Sequence, residues 1–211
     1  MATSLTLEND SSLAQGYLKV NGSTAATLTT SGITGNLTGN VTGNVTGNVT
    51  GSLTAGGSLT LATAQTASGT AVDFTGIPSW VKRITVMFSG VSTNGTSNLL
   101  VQIGAGSVTT SGYLGFCMLS AVYRSAMTSG FMVTALTAAD SLLSSQIVIT
   151  LLGSNTWIES AVIADYSASV LGVSNSSGKL ALGGTLDRIR ITTVNGTDTF
   201  DAGTINISYE G

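Results

Sequence analysis

The stretch Gly35–Thr54 reads GNLTGNVTGNVTGNVTGSLT, which is one four-residue unit repeated five times. Each unit holds glycine, then asparagine or serine, then valine or leucine, then threonine. Collagen requires glycine at every third position, so a period of four excludes it, and glycine, asparagine, valine and threonine are all poor helix formers. Because four is twice the period of a strand, the repeat predicts an extended ribbon. Glycine and the aliphatic residues lie on one face of it, and asparagine and threonine on the other.

A single copy of this ribbon has too few interactions to hold its shape. Ordering four residues costs about 4–8 kcal/mol of backbone entropy, whereas burying one valine or leucine returns about 1.5–3 kcal/mol. Hydrogen bonds of about 0.5–1.5 kcal/mol each would have to come from neighbouring strands. The repeat therefore predicts a shaft of self-associating chains in which the aliphatic residues face the common axis: Leu37, Val41, Val45, Val49 and Leu53.

Two other interpretations of the repeat stay open. A stretch rich in glycine, asparagine and threonine is also typical of a flexible linker, although a linker does not need an aliphatic residue at every fourth position. The Asn-x-Thr triplets match the glycosylation sequon. The segment Met1–Asp10 lacks the basic and apolar regions of a secretory signal, so we interpret the sequons as by-products of the repeat.

The composition excludes several classes of protein. Charged residues make up 8% of the 211 residues, and the seven lysines and arginines form no cluster. Nucleic-acid binding needs clustered cations, so we expect no nucleic-acid partner. No apolar run is long enough for a membrane span, so no membrane insertion is expected either. The only cysteine, Cys117, lies in an apolar string and is expected to be a buried, inert thiol, because the chain contains no histidine to act as its base.

From about Gly69 onward the sequence predicts many short strands. The candidates are Ala71–Phe74, Val81–Phe88, Asn98–Ile103, Tyr113–Leu119, Gly130–Leu136, Gln146–Leu152, Thr156–Ala164, Lys179–Leu182, Asp187–Val194 and Thr204–Tyr209. Asn94-Gly95 and Asn195-Gly196 are hairpin signals, and only Thr134–Leu143 offers a short helix. Strands at this spacing favour a jelly-roll-like β-sandwich. We therefore predict an all-β chain with an N-terminal segment (1–30), a repeat shaft (31–68) and a β-sandwich head (69–211).

Two strings in the head resemble a known family. Residues 72–88, VDFTGIPSWVKRITVMF, are similar to the opening of the C-terminal domain of many bacteriophage and prophage tail-fibre proteins. Residues 187–210, DRIRITTVNGTDTFDAGTINISYE, are similar to the close of that domain, and Leu18–Gly22 and Thr30–Gly35 resemble the N-terminal parts of such fibres. The resemblance implies a structural virion protein, made in the host cytoplasm, whose shaft is an intertwined homotrimer.

The resemblance also implies where the partners lie. Residues 1–30 would attach the fibre to other tail or baseplate proteins, since this segment has too few apolar residues for a core of its own. The head would then point away and recognise a glycan or protein of the host surface. The alternative is a purely architectural fibre without receptor contact, and the sequence does not choose between the two.

The sequence predicts no catalytic, cofactor or metal site. No spacing of the ten carboxylates selects a pair for glycan cleavage. Asp198 and Asp201 could share a hard cation, but aspartates beside a turn are more often turn residues. Trp157, beside a turn, and Tyr123 are the candidate receptor contacts, with core packing as the alternative for each.

Overall fold

The computed structural model describes the backbone of residues 5–10, 15–20, 23–29 and 32–34, and both backbone and side chains of residues 59–119, 123–135 and 137–211. The chain divides into two compact units, Met1–Thr50 and Gly51–Gly211. The repeat and its five aliphatic residues, Leu37, Val41, Val45, Val49 and Leu53, lie outside the described residues. The shaft and its axis therefore stay predictions.

The first unit contains a small antiparallel sheet. Its strands follow one another in space as they do in sequence, β1 (Leu5–Asp10), β2 (Gln15–Val20), β3 (Ser23–Thr29) and β4 (Gly32–Thr34). The sequence analysis assigned no strands to this segment. Backbone pairing explains the difference, because a meander satisfies its own N–H and C=O groups even where apolar residues are few. The boundary expected at residue 30 falls between two paired strands, β3 and β4.

In the second unit the described residues form fourteen strands. They are β5 (Thr60–Leu61), β6 (Gln65–Thr66), β7 (Ala71–Thr75), β8 (Arg83–Thr93), β9 (Leu99–Ala105), β10 (Ser107–Val108), β11 (Leu114–Leu119), β12 (Tyr123–Ala126), β13 (Phe131–Met132), β14 (Leu143–Gly153), β15 (Thr156–Tyr166), β16 (Leu171–Ala181), β17 (Arg188–Thr193) and β18 (Phe200–Glu210). β5 and β6 pair with β18, the last strand. The sheet structure of the head thus begins before the expected boundary at residue 69.

These strands form two antiparallel sheets. The large sheet has the order β12-β11-β16-β15-β14-β8-β18-β5, with β6 also on β18. The small sheet has the order β10-β9-β17-β7, with β13 also on β9. The described residues contain no helix, so none among them is long and apolar enough to cross a membrane. The all-β prediction is confirmed for these residues, and the helix suggested for 134–143 is absent from the described part of that segment.

One hydrophobic core lies between the two sheets. Alternate residues of the large sheet point into it, such as Ile84 and Val86 of β8 and Ile147 and Ile149 of β14. The small sheet contributes Ile189, Ile191 and others from its own inner face. The core covers only the inner side of each sheet, because successive side chains of a strand point to opposite faces.

The two Asn-Gly turns do not make hairpins, which corrects the sequence prediction. Asn94-Gly95 leads from β8 to β9 and Asn195-Gly196 from β17 to β18, and in both cases the two strands belong to different sheets. Side-chain bonds stabilise these crossovers: Asn94 Oδ1 accepts the Thr199 N–H at 2.9 Å. The two-residue hairpin turn lies instead between β14 and β15, where Ser154 and Asn155 have φ of 46° and 57°.

Candidate interaction face

The outer surface of the large sheet is unusually apolar for a surface that faces solvent. Phe116 is 64% exposed, Val162 56% and Tyr166 63%. Single exposed apolar residues are ordinary on protein surfaces, but a contiguous group marks an interaction site. We call this group the apolar face, and it comprises the outward residues of β11, β15 and β16: Leu114, Phe116, Met118, Ile158, Val162, Tyr166, Leu171 and Val173.

Strand register explains how the apolar face is shaped. β11 and β15 both pair with β16, which therefore lies between them. Met118 and Val162 are both opposite Asn175, while Phe116 is opposite Ser177. Large apolar side chains on β11 and β15 thus form two ridges, and at this level of the sheet the shorter, polar Asn175 and Ser177 of β16 lie between them. A ridge from another molecule has the right form to fit between these two ridges.

The apolar face has little charge. Lys179 is the only charged residue at the outward positions of β11, β14, β15 and β16. The two carboxylates of β15, Glu159 and Asp165, point to the inner side and are buried. A second copy of the same face would consequently meet almost no like-charge repulsion, which is the usual obstacle to self-association of a charged surface.

The apolar face is about half the size of a standard interface. β15 and β16 each have 11 residues and β11 has six. With strands about 4.8 Å apart and a rise of about 3.3 Å per residue, their outer side measures about 440 Å² before side-chain relief is counted. A standard interface buries about 800 Å² per partner. The apolar face therefore supplies about half of the contact area that specific association needs.

Trp157 is packed in the core, the alternative given for it, and not at the surface where a receptor contact would require it. The side chain is 2% exposed and belongs to the core. Alternation along β15 places Trp157 on the same side as Ala161 and Ile163, toward the small sheet. Its neighbouring turn suggested exposure, but inside a strand the direction of the side chain depends on register and not on distance from a loop. Its indole Nε1–H is buried and has no hydrogen-bond partner among the residues that the structure describes.

Tyr123, the other predicted receptor contact, lies at the first position of the edge strand β12 and is 49% exposed. Its Cα partner is the buried Leu119 on β11, so its side chain is on the inner side of the sheet and does not belong to the apolar face. Its role as a receptor contact stays a prediction. Cys117 is fully buried, as the sequence predicted, and burial raises the pKa of its thiol to about 12, with the nearby Glu159 adding to the effect.

Asp198 and Asp201 have different hydrogen-bond partners, Asp198 in the turn at Asn195 and Asp201 between strands β18 and β8. Asp198 accepts hydrogen bonds from the backbone N–H of Ser97 at 2.9 Å and from Asn195 Nδ2 at 2.6 Å. The Asn195 bond comes first among the causes that hold the pKa of Asp198 below its usual range. Asp201 accepts from the Ser92 hydroxyl. The described residues contain no group of three or more histidine, cysteine, aspartate or glutamate side chains that could hold a metal ion.

A polar cleft of about 330 Å³ lies on the small sheet, against the turn at Asn195. Its one charged side chain, Arg190, donates from Nε and Nη2 to the two carboxylate oxygens of Asp73 at 2.8 and 2.7 Å. Gln102 also lines the cleft and donates to the Ser129 carbonyl at 2.8 Å. The cleft is at the small end of the range for ligand pockets, about 300–1,000 Å³, and its guanidinium is already paired.

Comparison with known proteins adds no relative. No protein-family model, no curated protein and no solved structure matches the chain.

Proposed function

We propose that the protein is a structural fibre of a bacteriophage virion and that it works as a homotrimer. The observation that supports this proposal most is the apolar face of the large sheet. Its side chains have no cover within the described part of the chain. Burying a side chain such as Phe116 or Val162 is worth about 1.5–3 kcal/mol, and several of them together favour association with other copies.

The repeat, like the apolar face, requires contact with other copies of the chain. Its aliphatic residues at every fourth position need neighbouring strands, as argued from Gly35–Thr54, and the apolar face needs a neighbouring sheet. Both requirements are met when identical chains run side by side, because each copy then offers the same surfaces in the same order. The number three and the intertwined form of the shaft come from the resemblance to tail fibres.

The finer architecture of the head belongs to the same proposal. β7 belongs to the small sheet, β8 to the large sheet and β9 to the small sheet again. Alternation of this kind supports a jelly-roll-like arrangement, in which the chain crosses repeatedly between two sheets. In the proposed fibre, residues 1–30 attach to tail or baseplate proteins and the head meets the host surface.

Cell binding tests the recognition part of the proposal. Fluorescently labelled full-length protein should remain on cells of the host after washing, and unlabelled protein should compete it away. Cells of the same strain that lack their surface polysaccharide provide the control for a glycan receptor, and protease-treated cells provide the control for a protein receptor. If no host cell retains the trimer, the fibre is architectural and receptor recognition by the head is wrong.

A further inference from the structure

Glu159 is a carboxyl group placed inside the protein. Its position on β15 directs it into the space between the sheets, where it is 0% exposed. One carboxyl oxygen, Oε1, accepts a hydrogen bond from Ser176 Oγ at 2.6 Å. The other oxygen, Oε2, is buried and has no partner among the described residues. A buried carboxylate with an unsatisfied oxygen is costly, so this group favours the protonated form.

No cation compensates this carboxyl group in the described structure. Cys117 on β11 is the titratable side chain that interacts with it. On β16 the inward neighbours are Ser174 and Ser176, while Lys179 is on the outer side. β14 presents Ile147 and Ile149, and Asp165 is farther along β15.

The segment 127–135, which includes β13, packs against the same end of the sheet without contributing a charge. A Cβ placed on Gly178, the partner of Glu159 on β16, would lie 2.6 Å from Met127 Sδ and 3.3 Å from Phe131 Cδ1. Tyr113 contacts Phe131 edge to face, with the ring centroids 4.9 Å apart, and its hydroxyl hydrogen-bonds with Ile103. Asp140, in the following loop, is exposed and accepts from Ser169. The interior around Glu159 is thus apolar or neutral on every side.

Glu159 lies toward the end of the large sheet that finishes with the short edge strand β12. Only β16, β11 and β12 lie beyond β15 on this side. β12 has four residues, none of them buried, and pairs with β11 over those four positions. The other side contains β14, β8 and β18, whose inward residues form the centre of the core. Local opening has the lowest free energy where buried apolar contacts are fewest.

We infer that β12, β11 and β16 form a pH-sensitive end of the large sheet, which opens locally when Glu159 loses its proton and thereby exposes the Cys117 thiol. The direction of the pH effect follows from the linkage between proton binding and opening. Burial raises the pKa of Glu159 to about 7, and the Ser176 hydrogen bond offsets part of that rise. In the open state the carboxyl meets water and returns to an ordinary value of about 4.3. Between these two values the closed state binds more protons, so rising pH favours opening.

The expected size of the effect follows from the same two values. The opening equilibrium constant should rise by up to tenfold per pH unit between about pH 4.3 and about pH 7, and should level off above that range. The total change is roughly 100-fold or more. Since Cys117 is the only cysteine of the chain, its rate of labelling reports this opening without interference from other thiols.

The test measures native-state labelling of Cys117 in the full-length protein from pH 5 to pH 8. Each rate is divided by the rate for the unfolded chain at the same pH, which removes the intrinsic titration of the thiol. The wild-type ratio should rise roughly 100-fold, and the ratio for Glu159→Gln should stay flat. Ser176→Ala, which removes the hydrogen bond to Oε1, should extend the rise to higher pH. This variant keeps the test available if Glu159→Gln does not fold.

Two results would overturn the inference. The first is a wild-type ratio that does not change with pH, or one that changes equally in Glu159→Gln. The second is an opening free energy from labelling equal to the free energy of global unfolding at every pH, because the whole domain and not one end of the sheet would then be opening.

Discussion

The double substitution Phe116→Lys and Val162→Lys should weaken the assembly, so that the full-length protein dissociates at a higher concentration than the wild type does. The two residues are on the two ridges of the apolar face, 64% and 56% exposed. Association would bury both new ammonium groups against apolar side chains, and a buried charge without a partner costs several kcal/mol. Each chain would repeat this penalty. The head itself should remain folded, because neither side chain points into the core.

The control for this experiment adds the same charge elsewhere. Thr75→Lys and Thr185→Lys change two exposed residues outside the apolar face and should leave the mass of the assembly unchanged. The measurement is sedimentation velocity of both variants beside the wild type, with circular dichroism to show that the head is folded. Dissociation of the Phe116 and Val162 variant at the same concentration as the wild type would mean that the apolar face is not the contact.

A second large effect is expected at Gly203. This residue lies at an irregular point of the pairing between β18 and β8 and has a φ of +95°. A Cβ added there would lie 2.5 Å from the Gly90 carbonyl oxygen and 2.6 Å from Val91 Cα. Both are backbone atoms, so relief requires the two strands to separate. Backbone strain of about 1–3 kcal/mol adds to an overpacking cost of about 1–3 kcal/mol, and Gly203→Ala should destabilise the head by about 3 kcal/mol or more.

Gly90→Ala is the matched control for Gly203→Ala. Gly90 also has a positive φ, +60°, but a Cβ there meets no atom within 4 Å. Only the left-handed conformation is penalised, at about 1–2 kcal/mol. Urea unfolding of both variants at one protein concentration compares the two costs. Equal losses of stability in the two variants would contradict the close approach of β18 to β8 at Gly203.

The regular part of the head could be predicted from sequence because its strands alternate. β17 shows buried Ile189 and Ile191 between partly exposed Arg188 and Arg190, which is the pattern that identifies a half-solvated strand. For β16 the sequence predicts only the last residues, within the candidate Lys179–Leu182. Its residues Ser174–Gly178 resemble a loop in composition, and they form a strand because β11 and β15 pair with both of its edges. Tertiary pairing of this kind overrides local propensity.

The candidate sites were harder to predict than the strands. In β11 the string Phe116-Cys117-Met118 is apolar at every position, so a period of two cannot tell which side faces the core. The structure buries Cys117 and exposes Phe116 and Met118. On β15 the side chains point in the directions opposite to those that their polarity suggests: the charged Glu159 points inward and the apolar Val162 points outward. Neither direction can be predicted from the sequence without knowing where the second sheet lies.

The mass of the purified full-length protein in solution tests the central claim most directly. Light scattering coupled to size exclusion should give a single species of about three times the 21.2 kDa chain mass, and this mass should persist on dilution through the micromolar range. A species of 21.2 kDa at micromolar concentration would contradict the account, because neither the repeat nor the apolar face would then have the partner copies that both require.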